Sequence, residues 1–178
     1  MSYDELVPYL VEISHPWLWE QRNLHLADSR QLSSDEKLLL RGYYDGRTVD
    51  TVRLATVDHI SNPPFYAELK EAGNPVLDIS GAAGIAFIDC IVIRRIFEQD
   101  PTSWISILFH ELVHVVQFEI LGSRRHLELY IRTWAENGYQ YHGIQLEGQA
   151  HKLEARFNRH EPPFSVREVV ERELRGMV

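Results

Sequence analysis

The sequence predicts an α+β fold in which a small antiparallel or mixed sheet packs on one buried helix, with further helices after it. Three observations carry that prediction. β-branched residues and apolar runs of strand length concentrate between Thr48 and Ile93, whereas helical periodicity dominates after Asp100. Residues 104–121 are apolar around the whole helical circumference, the pattern of a helix enclosed by the rest of the protein. The 178 residues are 44% hydrophobic and show no repeat, low-complexity tract or linker, which suits a single domain spanning 1–178 with one core.

Taken in order, residues 4–13 have the apolar spacing of a short helix, stopped before His15-Pro16 because the residue preceding a proline is driven out of the helical region. Trp17 and Trp19 then pin this segment to the body. Ser33 and Glu36, three apart, form a capping-box start for a helix ending near Gly42, with its charged face in solvent. Thr48, Val49, Thr51, Val52, Thr56 and Val57 favour a strand within residues 48–60, which Asn62-Pro63-Pro64 stops. Residues 76–79 and 84–93 read as two more strands joined by a turn at 81–84. The second is apolar on both faces and so buried on both sides. Thr102 or Ser103 caps the long helix, and Gly122 ends it. Helices at 124–137 and 146–158 flank a turn containing Gly138 and Gly143, and an amphipathic helix follows Ser165.

Composition narrows the partners. Eighteen Lys and Arg against 26 Asp and Glu give a net charge of −8, which disfavours nucleic acid, since phosphate binding needs clustered cations. The only cysteine, Cys90, can form neither an intramolecular disulfide nor a Cys-rich zinc site, so a metal would need His and carboxylate ligands. Asp4 and Glu5 stand where an export signal carries positive charge, and the apolar runs fall short of the roughly 20 residues that span a bilayer. The expectation is a cytoplasmic protein acting on neither nucleic acid nor membrane.

The chemistry lies in His110-Glu111-Leu112-Val113-His114, inside the buried helix. Histidines at i and i+4 project from one face a turn apart, so both imidazoles reach one Zn²⁺. Glu111 is set beside them, where its carboxylate can take a proton from water activated by the ion. Two imidazoles and a carboxylate in an apolar helix carry desolvation costs that a metal offsets. Catalytic zinc takes three protein ligands, and the third-histidine pattern HExxHxxGxxH is excluded by Gln117 and Ile120. Downstream candidates are Glu119, Glu128, Glu136, His142, Glu147, His151 and Glu154. Glu119 lies about 140° off the metal face of its helix. Glu128 and Glu136 belong to a helix whose apolar stripe is Leu127, Tyr130, Ile131 and Trp134. Glu147 is preferred, because it opens a helix whose stripe of Leu146, Ala150, Leu153 and Phe157 faces the core, with small Ala150 allowing close approach. His151 and Glu154 continue along its side as partners for the ligands. Tyr139, Tyr141 and His142, in the preceding turn, can reach over the metal as donors to an oxyanion. Arg124, Arg125 and Arg132 read as solvated helix charges.

HELVHVVQ at 110–117 and LEGQA at 146–150 together resemble gluzincin-type zinc metallopeptidases, most closely the small bacterial metallopeptidase-like domains with HELxHVxQ and a later LExEA element. The resemblance covers about residues 84–157. It implies a zincin-like fold, zinc held by His110, His114 and Glu147, Glu111 as base, and a peptide or protein substrate. The chain departs from the pattern at Gln149, where those domains often have a second acidic residue. Other readings are a zinc-containing binding or scaffolding module of a bacterial assembly, against which an intact Glu111 argues, and a small-molecule amidase with the same constellation.

Overall fold

The chain opens with a 24-residue helix, α1 (Tyr3–Leu26), in the computed structural model, which describes residues 3–176. There follow β1 (Arg30–Gln31), α2 (Ser34–Leu40), α3 (Gly46–Thr51), β2 (Arg53–Val57), α4 (Tyr66–Glu71), β3 (Gly84–Phe87) and β4 (Cys90–Arg94). Four helices complete it: α5 (Pro101–Leu121), α6 (Ser123–Glu136), α7 (Gln145–Asn158) and α8 (Val166–Leu174). The class is α+β, with a mixed four-stranded sheet in the order β1-β2-β4-β3. β2 and β4 run parallel, and the two outer pairs are antiparallel. Helices are interspersed among the strands instead of all following them.

The sheet and α5 are built around each other. Cys90, Ile91, Val92 and Ile93 are at most 1% exposed, and α5 is buried from Leu108 to Phe118. Leu146, Ala150 and Leu153 of α7 and Val166 and Val170 of α8 are inaccessible and join the same core. Among the described residues α5 is the one helix long and apolar enough to cross a membrane, and most of it is enclosed by protein. Its start is fixed by Asp100, whose carboxylate accepts from the amides of Thr102 and Ser103, with Pro101 at the first helical position. The cap is therefore Asp100, not Thr102 or Ser103. At its end Gly122 takes φ 74°, a left-handed value that favours glycine, and α6 begins at the next residue.

Several local expectations are corrected. α1 runs through Pro16, because Leu6, Leu10 and Leu18 are buried on one continuous helix and Trp17 packs edge-on against Phe65 and Phe87. Tertiary packing outweighs the amide that proline lacks. Trp19 is 41% exposed and anchors little. Residues 48–51 belong to α3, since Asp45 caps that helix by accepting from the Thr48 amide at 2.8 Å, and the strand starts only at Arg53. Residues 76–79 form no strand, and the Asn62 side chain takes the Ile79 amide instead. Residues 84–93 form a two-stranded hairpin, pairing Phe87 with Cys90 across a turn in which Ile88 takes φ 63°. Arg22 of α1 clasps the turn residue Asp89 with two bonds of 2.7 and 2.8 Å.

The α2 capping box forms as expected, but Glu36 is not solvated. It accepts two bonds from Arg30 at 2.7 Å, one from the Ser33 amide at 2.6 Å and one from the Trp104 indole at 2.9 Å, tying α2 to α5. Burial pushes this carboxyl up, yet these donors prevail and hold it at about 2, below its ordinary 4.5. A depressed carboxyl contributes its full stability above the unfolded-state value, and that contribution fades as pH falls from 4.5 towards 2. Glu36→Gln should therefore cost on the order of 2 kcal/mol at pH 7, discounted because Arg30 is half-exposed. Denaturant titrations of both proteins should show the difference shrinking steadily below pH 4.5.

Candidate metal centre

His110 and His114 stand one turn apart on the buried face of α5, and α7 brings Glu147 against them. His110 Nε2 lies 3.2 Å from His114 Nε2 and 3.3 Å from Glu147 Oε2, and His114 Nε2 lies 3.4 Å from the same oxygen. Ligands at about 2.0–2.1 Å around one tetrahedral ion are separated by about 3.3 Å, so the three atoms already have the spacing of a zinc ligand set. All three side chains are buried.

Proton positions sharpen the fit. Gln117 Nε2 donates to the Leu146 carbonyl at 3.0 Å, which leaves its Oε1 facing His114 Nδ1 at 2.8 Å. A carbonyl only accepts, so His114 Nδ1 carries the hydrogen. His110 Nδ1 meets the Glu154 carboxylate at 3.0 Å and carries one for the same reason. In their neutral forms both imidazoles then turn lone pairs towards each other and towards Glu147. Three acceptors within 3.4 Å with no donor among them call for a cation. The second convergence, His110 with His151 and Glu154, lacks this demand. There, two ring nitrogens meet one carboxylate oxygen, a pattern that imidazole hydrogens satisfy.

The electrostatics agree. Burial opposes charge on His110, but bonds to Glu147 and Glu154 outweigh it and raise the imidazole to about 10. His114 is raised against the same burial by Glu147. Glu147 in turn is held far below the ordinary carboxylate range, its burial outweighed by the two histidines. The pocket thus collects positive charge, which protons supply when no metal does.

Glu111, 6% exposed, is bonded by no donor among the described residues, and it borders an apolar cavity that also reaches the three candidate ligands. Burial raises its pKa despite the histidines nearby. Gly84 of β3 makes room for it. A Cβ there would come within 3.1 Å of Glu111 Cγ and Oε1 and 2.9 Å of Ile107 Cγ2.

Tyr141 reaches the site, donating to Glu147 Oε2 at 2.6 Å while 45% exposed. His142 does not. Its side chain is exposed and no hydrogen bond joins it to the ligands, because the 3-10 turn Tyr141–Gly143 sends the two neighbours in different directions. Tyr139 packs on Trp134 instead. Glu119 is turned away to Thr48 and Arg167, as its helical angle requires. His151 and Glu154 take the supporting places expected of them.

No family model, curated protein or solved structure matches the chain. The site is therefore read from its own residues, and three of these escaped sequence reasoning. Tyr130, assigned to an apolar stripe, donates to Glu147 Oε1 at 2.7 Å. Gln117, used only to exclude the third-histidine pattern and quoted within HELVHVVQ, orients His114 and holds the first turn of α7. Gln149, noted only as a departure from a pattern that often has an acidic residue there, accepts from Gln117 and donates to Glu173 of α8 at 2.9 Å. An amide can do both at once, which a carboxylate cannot.

Zinc titrated into metal-free protein should bind one-to-one and raise the unfolding temperature, with His110→Ala or His114→Ala abolishing both effects. Because a ligand histidine must lose its proton, binding at pH 7 should release protons and weaken by up to tenfold per pH unit per proton displaced. Calorimetry in buffers of different ionisation enthalpy reads that number directly. Gln117→Leu should lower affinity about 10- to 100-fold with the ligands intact.

Proposed function

We propose that the chain is a zinc-dependent hydrolase, a metallopeptidase of zincin type that cleaves a peptide bond. The observation that carries this reading is the pairing of the three convergent donor atoms with an unbonded buried carboxylate, Glu111, on the same cavity wall. A scaffold needing only the ion gains nothing from such a carboxylate, whereas hydrolysis needs a base there.

His110, His114 and Glu147 would hold the ion, which when bound supplies Lewis acidity, easing deprotonation of water and polarising an amide carbonyl. Glu111 takes the proton of the attacking water. As the water oxygen bonds to the carbonyl carbon and the carbon–nitrogen bond breaks, Glu111 passes that proton to the departing nitrogen, leaving an acid and an amine. Its raised pKa suits this double task, since a strongly acidic carboxyl would be a poor acceptor near neutral pH. Tyr141 is kept protonated because burial and Glu147 raise its hydroxyl, and its single hydrogen, which rests on Glu147 Oε2, would have to turn from there to serve the oxygen on which negative charge develops. Tyr130 and Glu154 fix the orientations of Glu147 and His110.

Glu111→Gln should retain stoichiometric zinc and the fold while lowering peptide hydrolysis about 10²–10⁴-fold, measured as single-turnover cleavage at equal zinc occupancy. Gly84→Ala, which presses on the same carboxylate, should also keep zinc and lose rate. Equal rates in wild type and Glu111→Gln would remove Glu111 as the base. A zinc-loaded wild type that cleaves nothing in a broad peptide library would favour the binding-module reading.

A further inference from the structure

The cavity that borders Glu111 has a volume of about 170 Å³ and runs between α1, α6 and the β3 edge. Trp17, Ile79, Ile85 and Leu127 are among its walls, and His110, His114 and Glu147 stand at one side. An apolar protein cavity of about 150 Å³ stays dry and accepts a benzene ring, so this one has the capacity of a single aromatic side chain. An anionic side chain would lose its hydration there and meet the Glu111 carboxylate as well.

One wall carries polar groups with no partner. His126 of α6 is 4% exposed and stacks on Phe118 at a centroid distance of 3.7 Å. Neither of its ring nitrogens has a hydrogen-bond partner, nor has the Trp134 indole nitrogen two turns along the same helix. Four buried side-chain nitrogens lack partners among the described residues, and three of them belong to these two cavity-lining residues. Folded chains satisfy nearly all such groups, and these nitrogens are themselves shielded behind the cavity surface, so a partner from outside the chain would reach them on a turn of the ring. Burial holds the His126 imidazole well below its ordinary range, and it is therefore neutral, with one donor and one acceptor nitrogen.

We propose that this cavity is a side-chain pocket for a substrate residue next to the scissile bond, that it takes an aromatic ring, and that His126 selects tyrosine over phenylalanine by hydrogen-bonding the phenol hydroxyl. The assignment of the occupant to a substrate rests on the hydrolase reading, whereas the pocket's preference for a phenol does not. A hydroxyl that loses a hydrogen-bond partner on leaving water is penalised, so without His126 the preference for the phenol would shrink to what Trp134 and Glu111 sustain.

The test uses p-cresol and toluene, the side-chain analogues of tyrosine and phenylalanine, titrated by NMR into the full chain with and without zinc. p-Cresol should bind about 3- to 10-fold more tightly than toluene. His126→Leu should remove most of that preference and keep toluene binding. Ala82→Trp, at a partly exposed cavity residue, should abolish both. Toluene binding better than p-cresol in the wild type, a preference undiminished in His126→Leu, or no binding of either probe would overturn the proposal. Because neither probe is cleaved, the two readings fail separately. A chain that binds p-cresol but hydrolyses no peptide keeps its pocket and loses its assignment as an enzyme. One that hydrolyses peptides yet binds neither probe keeps the activity and loses the pocket.

Discussion

Two imidazoles placed inside an apolar helix have four ring nitrogens to satisfy, and much of the fold follows from how each is met. Both rings are at most 7% exposed, so most of their partners must come from the chain or from a bound ion. Glu154 and Gln117 take the two Nδ1 positions, which leaves both Nε2 atoms free to meet Glu147. That arrangement is possible only if α7 lies close along α5, and the inaccessible Leu146, Ala150 and Leu153 hold it there. The requirement reaches further than α7. Gln117 keeps its orientation through Gln149, and Gln149 through Glu173, so the last helix is tied to a ring nitrogen on the central one.

The flank of α5 beside the histidines faces a different constraint, that of leaving one carboxylate buried and unbonded. An isolated buried charge is costly, and the cost is moderated here by the neighbouring histidines and by a shift towards the neutral form. Room for the side chain comes from β3, where glycine replaces bulk at the point of closest approach. The hairpin carrying that glycine is registered by the Ile88 turn and held from outside by Arg22 on α1. The first helix therefore contributes to the environment of Glu111 without touching it.

What the sequence made legible was whatever depends on spacing along one element. The i, i+4 histidines, the off-axis Glu119, the α2 capping box, the Gly122 stop and the stripe that points Glu147 and Glu154 inward are all consequences of helical geometry, and each is found in the fold. Errors arose where a local preference met a longer-range one. Pro16 sits inside a helix because buried neighbours on both sides demand continuity. Thr48, Val49 and Thr51 are β-branched but belong to the helix that Asp45 caps. Ile88 breaks what looked like one strand, since a two-residue turn leaves no mark when its residues are apolar or acidic. Tyr130 and Gln117 were passed over because amphipathic side chains in an apolar stripe resemble packing until their polar ends find a target across the fold. The contrast between Tyr141 and His142, adjacent in a short turn, lies beyond any periodic argument.

Only one residue, Gly122, separates the helix bearing the histidines from the helix bearing His126, Tyr130 and Trp134. With its left-handed backbone and no intervening loop, it fixes the direction in which α6 leaves α5. That wall of the cavity is thus preorganised: its ordering entropy is lost when the protein folds and not when a ligand arrives. The facing wall is assembled differently. Around Leu77 and Ile79 the chain has no ladder or helical bonds and is steadied by Asn62 and Asp78 side chains. Discrimination by chemical group accordingly resides on the α6 side, and accommodation of ligand shape falls to the segment between α4 and β3.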